Sequence, residues 1–158
     1  MGTPATTARI APLGILMGDG FSTKIAFAAD PNISFFERTV QPPGVDGGDA
    51  IEITTMHNTT WRSMQPRSLL TLSSSSITAY YDPSVYNEII ALINVETDIT
   101  VHFPDGDTLA FFGFLQSFEP GDHEEGSPPE CTIIITPTNI DPADGSEAGP
   151  DLVATTGT

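Results

Sequence analysis

This chain has almost no cysteine, and little of it is basic. Cys131 is the one cysteine among 158 residues, which excludes an internal disulfide and any metal cluster built on cysteine within one chain. It opens the β-branched run 131–136, where a buried structural thiol is the expectation. Five basic residues face 21 acidic ones: Arg9, Lys24, Arg38, Arg62 and Arg67. Nothing after Arg67 is basic. Six acids lie at or before Arg67 and 15 after it, so the formal charge is −1 over residues 1–67 and −15 over 68–158, within the total of −16. Such a field repels phosphate backbones and argues against nucleic-acid binding. Met1 to Pro12 holds no continuous apolar run, so neither a secretory signal nor a membrane helix is expected there.

Catalytic patterns are missing too. There is no Gly-x-Ser-x-Gly elbow, phosphate loop or dinucleotide fingerprint, and Gly18-Asp19-Gly20 has the spacing of none of them. His123-Glu124-Glu125 lacks the second histidine of a zinc-binding helix and lies among Gly and Pro. Asp105 with Asp107, or Glu119 with Asp122, could be imagined as glycosidase carboxylates, but Asp at a tight turn serves turn geometry and loop acids are solvated. Asp141, Asp144 and Glu147 lack the alternating ligand spacing of a calcium loop. The expectation is a protein that is not an enzyme and carries no cofactor or metal.

What the chain does have is concentrated between Asp82 and Pro120. Asp82-Pro83 is a strong helix start, since the carboxylate accepts from free N–H groups and Pro at the first helical position gives up no bond. The helix is predicted to run to about Asn94. Val85, Ile89, Leu92 and Ile93 recur at helical spacing, and Tyr86, Ile90 and Ile93 form a second apolar row beside them. One row suits the chain's own sheet and the other a neighbouring subunit. From Asp98 the period becomes two, with Ile99, Val101 and Phe103 on one face. Asp105-Gly106 supplies a tight hairpin, and Leu109 to Leu115 returns as its partner strand. That strand is apolar on both faces, which places Phe112 and Phe114 inside a sandwich or at a subunit boundary.

Elsewhere strands dominate. Thr23 to Ala28 and Ser34 to Val40 are short strand candidates, Gln41 to Asp49 is a loop, Ala50 to Met56 a strand, and His57 to Pro66 a connection carrying Trp61. Ser68 to Tyr81 is a long strand candidate with a small polar centre, Ser73 to Ser76. Such a centre crosses a wet surface or lines a smooth one. Glu119 to Glu130 is an acidic loop, and Cys131 to Thr138 the last strand. The fold class is mainly β, an antiparallel β-sandwich or barrel with one flanking α-helix. Residues 1–21 are read as an N-terminal arm, 22–140 as the domain, and 141–158 as a flexible C-terminal arm.

Taken in order, Thr54-Thr55-Met56-His57-Asn58, Trp61-Arg62, Tyr81-Asp82-Pro83, the Ile89-to-Ile93 helix, Ile99-to-Thr108 and Phe111-to-Pro120 resemble the major tail tube proteins of long-tailed, siphovirus-type bacteriophages. The resemblance covers roughly Ser22 to Ile140. It implies a tail tube fold assembled as a homo-oligomer of hexameric rings stacked into a tube. That tube would be organised around a tape measure protein and closed by a tail terminator, and DNA would pass through it without specific binding. The implied location is the virion tail, with synthesis in the host cytoplasm and no membrane. By the same analogy Pro42, Pro43, Gly44, Val45, Asp46 and Asp49 would form the ring-stacking loop. Tyr86, Ile90, Ile93, Phe112 and Phe114 would pack between subunits, and Ser73 and Ser75 would line the bore. A tail terminator or neck connector is the alternative, and a carbohydrate-binding or adhesion module a more distant one.

Overall fold

The computed structural model describes residues 23–30, 33 and 35–154. Eleven strands and one α-helix follow in chain order: β1 (Lys24–Phe27), β2 (Phe36–Gln41), β3 (Val45–Asp46), β4 (Ile51–Glu52), β5 (Met64–Gln65), β6 (Thr71–Leu72), β7 (Ser75–Tyr80), α1 (Tyr86–Leu92), β8 (Thr97–His102), β9 (Thr108–Pro120), β10 (Glu130–Pro137) and β11 (Asp151–Val153). The main sheet runs β1-β8-β9-β10-β7-β2, with β11 added on β9, and its strands pair antiparallel. This mainly β fold is a curled half-barrel with one short helix.

Alternation along the strands decides which face is inside. Ser75, Ile77 and Ala79 of β7, Thr97, Ile99 and Val101 of β8, and Cys131, Ile133 and Ile135 of β10 are all buried. Phe111 and Leu115 of β9 join them, and Phe27 of β1 meets Phe35 edge-on at 6.0 Å. The curl brings the two outermost strands together: the Ile25 N–H donates to the Glu37 carboxylate at 3.1 Å. One side-chain bond therefore spans the seam between β1 and β2. Close approach is also required inside the sheet. A Cβ at Gly113 would lie 2.6 Å from the Thr136 carbonyl oxygen on β10, so β9 can pass there only as glycine.

The helix starts as its sequence predicts. Asp82 Oδ1 accepts from the Ser84 N–H at 2.9 Å and from its hydroxyl at 2.7 Å, and a 3₁₀ turn at Pro83–Val85 leads into α1. These bonds hold the Asp82 carboxyl below its ordinary pKa. Ile89 and Leu92 enter the core while Tyr86 and Ile90 face out. The helix stops at Leu92, two residues short of the predicted end, because Ile93 is extended and Asn94 takes φ +62°. The Asn94 N–H then donates to the Leu115 carbonyl at 3.1 Å, which fastens the helix exit to the edge of β9. Between β8 and β9 the predicted turn is present, with Gly106 at φ +95° and Phe103 donating to Asp107 at 2.9 Å.

Three expectations change. Gln41 to Asp49 is not a free loop, because β3 within it pairs with β6. Ser68 to Tyr81 is two strands, β6 and β7. The stretch from Asp141, predicted to be a flexible arm, returns to the sheet: Ile140 bridges Glu147 and β11 pairs with Thr108, Leu109 and Ala110. The predicted N-terminal arm, residues 1–21, lies outside the described residues.

Candidate assembly surfaces

Between Gln41 and Ser75 the chain leaves the sheet as a two-stranded ribbon. Its rungs are β3 on β6 and β4 on β5, with the Ile53 N–H donating to the Ser63 carbonyl at 2.9 Å beyond them. At the tip, Asn58 holds the turn from inside. Its side-chain oxygen accepts from the Thr55 N–H at 2.9 Å, and its amide donates to the Trp61 carbonyl at 2.9 Å and to the Ser63 hydroxyl at 2.8 Å. Arg67 Nε donates to the Asp49 carbonyl at 2.7 Å, and Arg62 meets Glu52 at 3.3 Å. The ribbon is therefore ordered by its own bonds.

Its apolar side chains, however, are not covered. From residue 44 to 74 every residue is exposed except Ser63 and Leu72, which are half-buried. Trp61 is 82% exposed, Leu69 80% and Met56 101%, with Val45, Ile51, Ile53, Met64 and Leu70 exposed as well. So many bare apolar side chains on one element are unusual for a protein that stays monomeric. Of the residues predicted to stack rings, Gly44, Val45, Asp46 and Asp49 face solvent, Pro42 is half-buried, and Pro43 is buried at the ribbon's base.

That base also revises the predicted bore-lining pair. Ser75 is fully buried, and its hydroxyl donates to the Gln41 carbonyl at 2.6 Å. It ties the ribbon to the core and offers nothing to a bore. Ser73 is exposed, but it is engaged with Gly44: its hydroxyl accepts from the Gly44 N–H at 2.8 Å, and its own N–H donates to the Gly44 carbonyl at 2.8 Å. The structure thus joins two residues that the sequence assigned to different roles.

The smooth polar surface lies instead on the outward face of the sheet. Register places Thr39, Thr78, Thr132 and Glu119 in one row across β2, β7, β10 and β9. Gln41, Ser76, Ile134 and Ser117 form the next row. Beyond them Thr136 is hydrogen-bonded to Gln116.

The end of the sheet opposite the ribbon carries a different surface. There Phe36 pairs with Tyr80 and Tyr80 with Glu130, followed by the acidic loop 121–129. Phe36 is 64% exposed and Tyr86 39%. Phe36, Tyr80, Asp82 and Val85 share one small depression, and Tyr86 sits edge-on to Phe118 at 5.8 Å. Beside it, an open groove of about 520 Å3 is lined by Tyr80, Asp122, Glu124, Glu130 and Arg38, with Arg38 ion-paired to Glu130.

Of the other residues predicted to pack between subunits, Ile90 is exposed on α1 while Ile93, Phe112 and Phe114 are half-buried within one protomer. The Thr138 N–H donates to the Phe112 carbonyl at 2.9 Å, which draws the C-terminal segment alongside β9. This segment brings Asp141 towards Asp98, whose carboxyl is raised above its ordinary pKa by burial and then by the Asp141 charge. A raised carboxyl favours the folded state below the unfolded pKa and loses that contribution as pH rises through the folded value. Asp98→Asn should therefore raise the urea midpoint at pH 7 and leave it unchanged at pH 3; an equal effect at both would rule out this charge.

Among the described residues no group of three or more His, Cys, Asp or Glu is placed to hold a metal ion. Burial pushes the Cys131 thiol up, as suits a structural cysteine.

No protein-family model and no curated protein matches the chain. Solved structures do. A chain in the tail of an empty gene transfer agent particle, refined with C6 symmetry, superposes with a TM-score of 0.60 at 9% identity, over 87% of this chain and 99% of that one. The chain has the fold of tail-particle proteins. A chain from the virion of a native gene transfer agent particle gives 0.56 at 11% identity, over 87% and 99%. One from the sixfold-symmetrised baseplate of the anti-feeding prophage gives 0.55 at 8%, over 85% and 92%. Within this tail-particle fold, the extent of the ribbon is what sequence reasoning missed. The only signal for it was a few scattered apolar residues, Val45, Ile51, Ile53, Met64, Leu69, Leu70 and Leu72, on either side of Asn58-Thr59-Thr60.

Proposed function

We propose that this chain is a structural subunit of a virion tail, and within the tail the tube protein: hexameric rings that stack into a conduit for DNA. The observation that carries the reading is the long, bare apolar ribbon on a protomer that matches 99% of a chain from a C6-symmetric tail. A surface of that kind needs other subunits to cover it. The chain would act without catalysis or cofactor. A tape measure protein inside the tube and a terminator at its end are the partners that the tail tube resemblance suggests. Thr39, Ser76, Gln116 and Thr136 replace Ser73 and Ser75 as the proposed bore lining, being short or uncharged and on the outward sheet face. The net charge of −16 would let DNA slide because the wall does not hold it.

Electron microscopy of the purified protein at high concentration tests this. Hollow filaments of stacked sixfold rings are expected. The likeness to a baseplate chain favours one second reading, a ring that does not polymerise; single closed rings would select it. A protein that stays monomeric at every concentration would refute both.

A further inference from the structure

Between β10 and β11 the chain folds on itself before it returns to the sheet. Ile140 bridges Glu147, the Asp141 N–H donates to the Ser146 carbonyl at 2.8 Å, and the Ala148 N–H to the Asn139 carbonyl at 2.9 Å. Asp141 and Asp144 turn carboxylate oxygens inward, accepting from the Ala143 N–H at 2.9 Å and the Ser146 N–H at 2.8 Å. Residues 139–148 are thus a closed finger held by its own bonds. Its two roots are slight. Asn139 takes φ +57° just after Thr138 bonds to Phe112, and Gly149-Pro150 leads into β11, whose three residues are all exposed. No residue from 138 to 154 is buried. A segment fastened by one bond and a three-residue strand belongs to the low-stability end of a fold.

The finger lies over the outward face of β9. Phe111 is buried, so Phe112 points the other way, and register sets it beside Asp98 of β8. Thr138 meets Phe112 from the opposite edge of β9, and three residues later Asp141 is close enough for its charge to act on Asp98. The path between them crosses Phe112, which is half-buried. The neighbours of Asp98 across each edge of β8 are uncharged: Phe112, and Ala28, whose N–H donates to the Asp98 carbonyl at 2.9 Å. Along the chain Glu96 lies two residues before Asp98, and His102, paired with Lys24, four after.

We propose that residues 139–153 are a pH-sensitive strap: closed over Phe112 while Asp98 is protonated, and loosened at its two roots once Asp98 and Asp141 are both charged, which bares Phe112 and the 108–110 edge of β9. Closing the strap takes Asp98 out of water and sets it near a like charge; both favour its neutral form, burial the more. The proton therefore binds more tightly to the closed state than to the open one. By linkage the strap is held best below the ordinary carboxylate range, and its hold weakens as pH rises through the raised value of Asp98. No basic residue lies in 139–153 to offset the repulsion. Every group involved belongs to one protomer, so the strap stands apart from the tube reading.

Hydrogen exchange of the full chain, kept dilute and expressed as protection factors to remove the intrinsic effect of pH, tests the strap. Protection of Thr138 and of residues 151–153 should fall several-fold between pH 3.5 and pH 7.5, while that of Ile133 to Ile135 in β10 holds level. Asp98→Asn should keep the strap protected at both pH values. Asp141→Asn should remove only the smaller part of the fall, because burial is the larger cause. If the wild-type chain unfolds at pH 3.5, the comparison at pH 7.5 decides alone: Asp98→Asn must protect the strap more than wild type does, with β10 unchanged. A fall that persists in Asp98→Asn, one shared equally by β10, or strap protection indifferent to pH would overturn the proposal.

Discussion

Excising the outer ribbon, residues 51–65, and joining its ends with a short Gly-Ser turn should abolish filament formation while the protomer stays folded. None of the removed side chains belongs to the buried core, which is built from β1, β2's approach, β7 to β10 and α1. The melting temperature should therefore move by only a few degrees, the size of shift that about 1 kcal/mol produces in a domain of this length. Assembly, in contrast, should fall by orders of magnitude. Ile51, Ile53, Met56, Trp61 and Met64 are lost together, and each well-buried anchor at an interface contributes on the order of 2 kcal/mol. Sedimentation and electron microscopy on one sample would measure both effects. Normal filaments from the shortened chain would mean that the ribbon plays no part in assembly.

Phe27→Ala should produce the largest loss of protomer stability, about 3–5 kcal/mol. Phe27 is 1% exposed and packs edge-on against Phe35, next to the seam that the Ile25–Glu37 bond spans. Removing the ring empties the core where the sheet is not closed by a backbone ladder. Against a total stability of about 5–15 kcal/mol, that loss brings the isolated protomer close to unfolding at 37 °C. Urea denaturation gives the number directly. A loss under about 1 kcal/mol would show that the core near the seam collapses around the gap. If the chain assembles, the same variant should regain stability as protein concentration rises, because association draws on the folded state alone.

The elements legible in the sequence are those whose signal is local. Asp82-Pro83 announces α1 because cap and first turn lie within three residues, and the alternation of Ile99 and Val101 orients β8 without reference to any other strand. Asp105-Gly106 specifies its hairpin in the same way. Where partners are distant the reading fails. Ser75 reads as a wet serine, and only the pairing of Gln41 with Ser76 reveals that its hydroxyl is turned to the Gln41 carbonyl. Val45 and Leu72 are 27 positions apart, so the loop between them gave no hint that it was a rung. Asp151-Leu152-Val153 is too short to show periodicity, and its place is set by β9, more than 40 positions earlier. The ribbon itself escaped detection because its apolar residues do not bury within one protomer, and burial within the protomer is what periodicity records.

The outermost features of the sheet, a ribbon at one end of β7 and an aromatic, acid-rimmed patch at the other, give the protomer a front and a back. Anything grown from it by front-to-back addition has direction, and its two tips offer different chemistry. A capping protein needs to imitate only one of them to halt growth there, while the other tip goes on accepting subunits. Length control could then be exerted at a single site per filament.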